Sequence, residues 1–121
     1  MQHSVAPKPA DLLPLSAASF YILVALADAD RHGYSILREI VERTAGKVKL
    51  NAGTLYTTIK RLLAEGLILE LDERPDPEFD DERRRYYRIT PLGRSAVRAE
   101  AARLDNLVTL ARSVGLPPKP A

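Results

Sequence analysis

The sequence predicts a mainly α-helical protein with one small β-hairpin, in the α+β class. Apolar residues recur at helical spacing in four separate segments. Capping and turn residues bound these segments. Two short stretches with strand propensity lie on either side of one polar, proline-containing loop, which predicts an antiparallel hairpin.

The length and composition indicate one domain with a single hydrophobic core, since the chain has 121 residues. The formal net charge is +2, so the overall charge does not by itself indicate a nucleic-acid partner. The chain has no cysteine, which excludes disulfides and thiolate metal sites. No apolar run is long enough for a signal sequence or a membrane span. We therefore expect a cytoplasmic protein without a membrane partner.

The N-terminal half is predicted to contain a tail and two helices. Residues 1–11 are polar and contain prolines, so we expect a flexible tail. The first helix covers residues 16–27, and its largely apolar surface indicates a place in the core or in a subunit interface. A polar turn leads to the second helix, residues 33–44. Residues 47–50 alternate in polarity, which predicts a few residues of strand.

The third predicted helix, residues 51–66, has an outer face that suits DNA. Asn51 is a capping residue, and Gly66 favours the left-handed turn past a helix end. The outer face carries small residues and then two cations: Gly53, Thr54, Thr57, Lys60 and Arg61. In a DNA major groove the small residues reach base edges and phosphates, and the cations neutralise the backbone. Alternatively, this face is an ordinary solvated helix surface. Together with the preceding helix it predicts a helix-turn-helix.

The predicted hairpin follows directly, with strands over residues 67–71 and 84–89. Such a hairpin after a helix-turn-helix is a wing, so residues 12–90 are predicted to form one winged helix-turn-helix domain. The loop between the strands is rich in carboxylates, and we do not expect its tip to lie against phosphates. Strand alternation places Arg84 and Arg85 on opposite faces, so one of them is expected to face DNA. The alternative is that these arginines balance the acidic loop.

Thr90 and Pro91 predict the start of a last helix, residues 91–114, which is followed by a proline-rich tail, residues 115–121. Its apolar residues have heptad spacing, and no further element remains to cover them. We expect this seam to pack on the first helix, on a second subunit, or on both. The predicted dimer interface comprises Phe20, Leu23, Val97, Ala101, Leu104, Leu107, Val108 and Ala111.

The sequence does not predict an enzyme. His32 has one distant companion, His3, which is too few for a metal site, and a capping or turn role is favoured. Asp28 and Asp30 are expected to be solvated turn residues. No catalytic triad, phosphate-binding loop or nucleophile elbow is present, so we expect neither a metal nor a cofactor.

Four motifs resemble the PadR family of transcriptional regulators. They are HGY at residues 32–34, AGTLYTTIKRL at 52–62, EGLI at 65–68 and RRYYRITPLG at 84–93. The resemblance covers residues 12–114 and implies a winged helix-turn-helix, dimerisation through the C-terminal helix, and usually repression of genes for efflux or detoxification. The chain is similar to the short subtype, which has a single C-terminal dimerisation helix.

We therefore expect a sequence-specific regulator, a repressor that binds a palindromic operator in double-stranded DNA as a homodimer. The predicted DNA-binding residues are Asn51, Gly53, Thr54, Tyr56, Thr57, Lys60, Arg61, Arg84 and Arg85. For Tyr56, a phosphate contact by its hydroxyl is favoured over a role at the edge of the core.

Two further hypotheses concern partners other than DNA. A winged helix can bind another protein instead. The outer face of the third helix argues against this, because protein-docking faces carry more apolar and aromatic anchors. In addition to DNA binding, a small apolar or aromatic effector could occupy the dimer interface, where Phe20 and Tyr21 could contribute.

Overall fold

The computed structural model describes residues 8–71 and 85–120. In this part of the chain it has four α-helices and three short strands, which confirms the predicted mainly α fold with a small β-hairpin. The elements are α1 (Ala17–Leu26), β1 (Arg31–His32), α2 (Gly33–Arg43), α3 (Ala52–Ala64), β2 (Ile68–Glu70), β3 (Tyr86–Ile89) and α4 (Pro91–Ser113). None of the described helices is both long and apolar enough to cross a membrane.

The first helix, α1, is the centre of the core. Its apolar residues Ile22, Leu23 and Leu26 are buried, and the helix packs against α2, α3, α4 and β3. Because Leu23 is 0% exposed within a single chain, its prediction as a dimer-interface residue is wrong. The helix is apolar on several sides because it is enclosed by its own chain. Phe20, at its margin, is only partly buried.

The side chains predicted to cap α2 and α3 do form capping hydrogen bonds. His32 Nδ1 accepts a hydrogen bond from the Ser35 backbone N–H at 3.1 Å, which confirms a capping role for His32. Asn51 Oδ1 accepts from the Thr54 N–H at 2.7 Å at the start of α3. After α3, Gly66 adopts a φ of 75°, the left-handed conformation predicted for it.

The small sheet has β3 in its middle. It pairs antiparallel with β2, opposing Ile68 to Ile89, and antiparallel with β1 on its other side. The segment 72–84, which contains the predicted acidic loop and Arg84, lies outside the described residues. Strand β1 was not predicted, because two residues are too few for an alternating pattern.

One local prediction, a strand at residues 47–50, is wrong, and part of the predicted tail forms a short helix. Residues 47–50 form no strand: Val48 and Leu50 pack on the core, and the Val48 N–H donates to the Thr44 hydroxyl at 3.1 Å instead of to a neighbouring strand. Within the predicted tail, residues 1–11, Pro9–Leu12 forms a short 3-10 helix that packs on α4, and residues 1–7 lie outside the described residues. Leu12 has apolar surface to bury there, which orders this segment.

The start of α4 packs closely against the strand before it. Thr90 caps the helix by accepting from the Gly93 N–H at 3.0 Å. A Cβ atom on Gly93 would overlap the carbonyl oxygen of Leu67 and lie 2.8 Å from Ile89 Cγ1. The side of α4 that includes Gly93 and Ala96 is therefore buried in the body of the protein.

We predict that Gly93→Ala destabilises the protein by about 1–3 kcal/mol, because the backbone oxygen of Leu67 cannot move aside without a shift of the chain. The matched control is Gly53→Ala on the exposed side of α3, where the nearest atom is Asn51 Oδ1 at 3.3 Å. The control should change stability by no more than about 1 kcal/mol. Urea unfolding measures both, and equal losses in the two variants would contradict this account of the α4 packing.

Candidate nucleic-acid interface

The exposed face of α3 is the candidate interface. The inner residues Leu55, Ile59 and Leu62 are buried against the core, so the opposite side of the helix is exposed to solvent. The predicted residues on this exposed side are Asn51, Gly53, Thr54, Thr57, Lys60 and Arg61. The structure therefore brings most of the predicted DNA-binding set together on one surface.

A groove separates α3 from the sheet on one flank of this surface. It has a volume of about 420 Å³ and is lined by Tyr56, Thr57, Ile59, Lys60, Leu63, Glu70, Arg85 and Tyr87. Arg85, with a 40% exposed side chain, lies 3.7 Å from Glu70, and its Nε atom has no hydrogen-bond partner among residues 8–71 and 85–120. Of the two arginines considered for the wing, Arg85 thus lies beside α3, whereas Arg84 lies outside the described residues.

Tyr56 is half-buried and connects α3 to the start of α2. A Cβ atom on Gly33 would lie only 2.6 Å from the Tyr56 hydroxyl oxygen, so the tyrosine fits there because residue 33 has no side chain. This contact explains why a glycine stands in the HGY motif. The contact itself was not predicted from the sequence. Tyr56 therefore has a packing role at the core edge. The phosphate contact of its hydroxyl stays a prediction.

The other flank of α3 lies beside the N-terminus of α1. Arg61 Nη2 donates hydrogen bonds of 3.0 Å to Ser16 Oγ and of 3.0 Å to Ser19 Oγ. These serines were not among the predicted site residues. They lie more than forty positions from Arg61 in the chain, so no local pattern indicates the contact.

Several arginines away from this surface are neutralised by carboxylates. Arg88 makes two hydrogen bonds to Asp30, of 3.0 and 2.7 Å, which hold the pKa of that carboxyl below its usual value. Arg43 likewise lowers the pKa of Asp28, mainly through its hydrogen bond of 2.8 Å. In the part of the chain that is described, neither Lys60 nor Arg61 has a carboxylate within ion-pair distance.

The C-terminal half of α4 is a second exposed surface, and it is apolar. Its most exposed leucines are Leu104, Leu107 and Leu110, of which Leu107 is 49% exposed. Among the other predicted interface residues, Ala101 is exposed, whereas Val108 and Ala111 are partly buried. Val97, which was also predicted for the dimer interface, packs against the core of its own chain.

A cavity of about 320 Å³ lies between α1 and α4 beside this apolar surface. Its walls are Leu15, Ala17, Phe20, Tyr21, Glu100, Arg103 and Leu104. Glu100 is only 2% exposed and accepts hydrogen bonds of 2.8 and 2.7 Å from Arg103. These bonds lower the pKa of Glu100, although burial acts in the opposite direction. The described residues contain no group of three or more potential metal ligands.

Comparisons with known proteins agree with this arrangement. A family model described as "Transcriptional regulator PadR-like family" matches residues 22–99. The chain is 34% identical over 92 residues to "Transcriptional regulator Rv3488" of Mycobacterium tuberculosis, covering 76% of this chain and 79% of the relative. A solved transcriptional regulator from Clostridium thermocellum is 26% identical, with a TM-score of 0.67, and the match covers 78% of this chain and 89% of that chain.

The fold also matches a PadR family transcription regulator from Clostridium difficile, with a TM-score of 0.67 and 22% identity. This match covers 82% of this chain and 98% of that chain. At that identity the likeness concerns the fold alone.

We predict that Glu100→Gln destabilises the protein near neutral pH and that the difference from wild type disappears in acid. The folded-state pKa of Glu100 is depressed, so its ionised form stabilises the fold above the ordinary glutamate pKa of 4.5. This stability is lost as the pH falls through the folded-state value. Urea unfolding of both proteins at a series of pH values measures the difference. A difference that is independent of pH would contradict the assigned role of the pair.

Proposed function

Because this chain belongs to the PadR-like family of transcriptional regulators, which are DNA-binding proteins and not enzymes, we propose that it is a homodimeric repressor of an inverted-repeat operator. The observation that carries this proposal is the composition of the exposed face of α3. Small polar residues occupy its N-terminal end, and two cations without carboxylate partners in the described chain follow. Such a face offers hydrogen bonds to base edges and positive charge to phosphates.

We assign separate roles to the residues of this interface. Gly53, Thr54 and Thr57 lie at the start of α3, the part of a recognition helix that reaches base edges. Lys60 and Arg61 contact phosphates on opposite sides of the DNA major groove. Arg85 adds a phosphate contact from the wing, where it lies in the groove beside α3. Asn51, Tyr56 and Arg84 complete the proposed set.

The homodimer is supported by the apolar half of α4. Leu104, Leu107, Leu110 and Val114 are between 39% and 67% exposed in a single chain, which is unfavourable for a helix in water. A second copy offers the same apolar stripe, and a two-fold axis between the copies lets each stripe cover the other. Two-fold symmetry of the protein then requires an operator with two-fold symmetry.

The cavity between α1 and α4 supports regulation by a small effector. Its walls combine aromatic and aliphatic groups, from Phe20, Tyr21 and Leu104, with the Glu100–Arg103 pair at one side. This composition suits a small apolar or aromatic compound that carries one polar group. Leu104 lines the cavity and also belongs to the exposed α4 surface, so an occupant of the cavity would contact the region of the proposed interface.

We predict that DNA binding weakens steeply with salt, with a log–log slope of roughly −5 to −7 for about six to eight phosphate contacts per dimer. Lys60→Gln should make the slope shallower by about 2, one contact per subunit. Arg98→Gln, on an exposed position of α4, is the matched control and should keep the wild-type slope. Titrations at several salt concentrations measure these slopes. A nearly flat wild-type dependence would favour a protein partner over DNA.

We also predict that Leu107→Glu weakens dimerisation by about 3 kcal/mol or more, because it places an unpaired charge in the apolar interface. Ala102→Glu introduces the same side chain on another exposed position of α4 and should leave association nearly unchanged. Sedimentation equilibrium of the three proteins gives the association constants. The dimer proposal fails if wild type is a monomer at micromolar concentration or if both variants behave alike.

A further inference from the structure

Arg61 is fixed at one end of its guanidinium group and free at the other. Its Nη2 atom donates to both Ser16 Oγ and Ser19 Oγ, at 3.0 Å each. A guanidinium group has five N–H donors, so those on Nη1 and Nε remain available. Within the described residues they have no hydrogen-bond partner. Arg61 is also exposed, and these donors can therefore meet a ligand from solvent.

The two serines both accept a hydrogen bond from Arg61, and their hydroxyl groups are also bonded to each other. Ser16 Oγ accepts from the Ser19 backbone N–H at 3.1 Å and from Arg61, and it donates to Ser19 Oγ at 2.9 Å. A hydroxyl group has one donor and two acceptor positions, so each position of Ser16 is used. Ser19 is only 2% exposed, which fixes the position of the second acceptor.

The charge of Arg61 is therefore positioned without being neutralised. Its partners are neutral hydroxyl groups, whereas Arg43, Arg88 and Arg103 each bind a carboxylate. An arginine that binds a phosphate usually loses side-chain freedom on binding, and this loss of conformational entropy weakens binding. In Arg61 much of this freedom is already lost in the free protein.

The position of Arg61 also separates it from the other cations of the interface. Successive residues of an α-helix point about 100° apart, so Lys60 and Arg61 are directed to different sides of the exposed face. Lys60 lies in the groove beside the sheet together with Arg85. Arg61 lies on the flank beside the start of α1. A helix in the major groove lies between two phosphate backbones, and this arrangement offers a cation to each.

We propose that Ser16 and Ser19 are positioning residues that orient Arg61 toward a DNA phosphate, and that the start of α1 thereby belongs to the DNA interface. This inference rests on the proposed function, because it needs DNA in contact with α3. It assigns to two serines outside the helix-turn-helix a part in DNA binding. The contact does not read bases, so its loss should weaken operator and non-operator binding alike.

The test compares Ser16→Asp with Ser16→Asn. Asp and Asn cap helices about as well as Ser, so both variants should fold, and circular dichroism and thermal unfolding check this. Only Asp places a carboxylate beside Arg61, where it pairs with the guanidinium group and removes its charge from the DNA interface. The salt slope of binding for Ser16→Asp should therefore be shallower than that of Ser16→Asn by about 2 per dimer. Ser19 is left intact because it is buried.

The same two substitutions in an Arg61→Gln background are the control for direct repulsion. If the carboxylate acts through Arg61, the Asp and Asn variants should bind DNA equally once Arg61 is replaced. A similar difference in both backgrounds would mean that the carboxylate repels DNA by itself, and would overturn the inference.

The outcomes separate this inference from the proposed function. Equal salt slopes for Ser16→Asp and Ser16→Asn, with a steep slope in wild type, would overturn the positioning role alone. A flat salt dependence in wild type would overturn the proposed function and the positioning role together. A shallower slope for Ser16→Asp that depends on Arg61 supports both.

Discussion

The fold depends on the need to enclose α1, a helix with apolar residues on most of its sides. Such a helix is stable in water only when other elements cover several sides at once. The chain meets this need with α2, α3, α4 and β3, which all pack against α1. The same packing places the N-terminal serines of α1 beside α3, next to the candidate DNA-binding face. It also places Phe20 and Tyr21 in the wall of the cavity next to α4.

The candidate interface is marked by where its cations lie on α3, and not by the net charge of +2. Away from this surface, Arg43 and Arg88 pair with carboxylates of the turn that follows α1, and Arg103 pairs with Glu100 within α4. In the described chain Lys60 and Arg61 have no such partner, and their charge remains available to a ligand. The pairs of Arg43 and Arg88 lie at the surface and add little stability, so their main effect is to neutralise these two arginines.

The sequence predicted the features that depend on local patterns. The caps at Asn51 and Thr90, and the inner and outer faces of α3, follow from residue type and helical spacing within a few positions. It did not predict the contact of Arg61 with Ser16, because that contact depends on how two distant helices pack. Leu23 was wrongly placed in the dimer interface, since an apolar helix face does not indicate whether its own chain or another one covers it.

The central claim is that a symmetric dimer presents two copies of the α3 face to DNA. Selection of bound sequences from a random pool of double-stranded DNA tests this most directly, because it assumes no operator. We expect an inverted-repeat consensus whose half-site centres lie about ten base pairs, or one helical turn, apart. Enrichment of a single asymmetric site, or no enrichment at all, would contradict it.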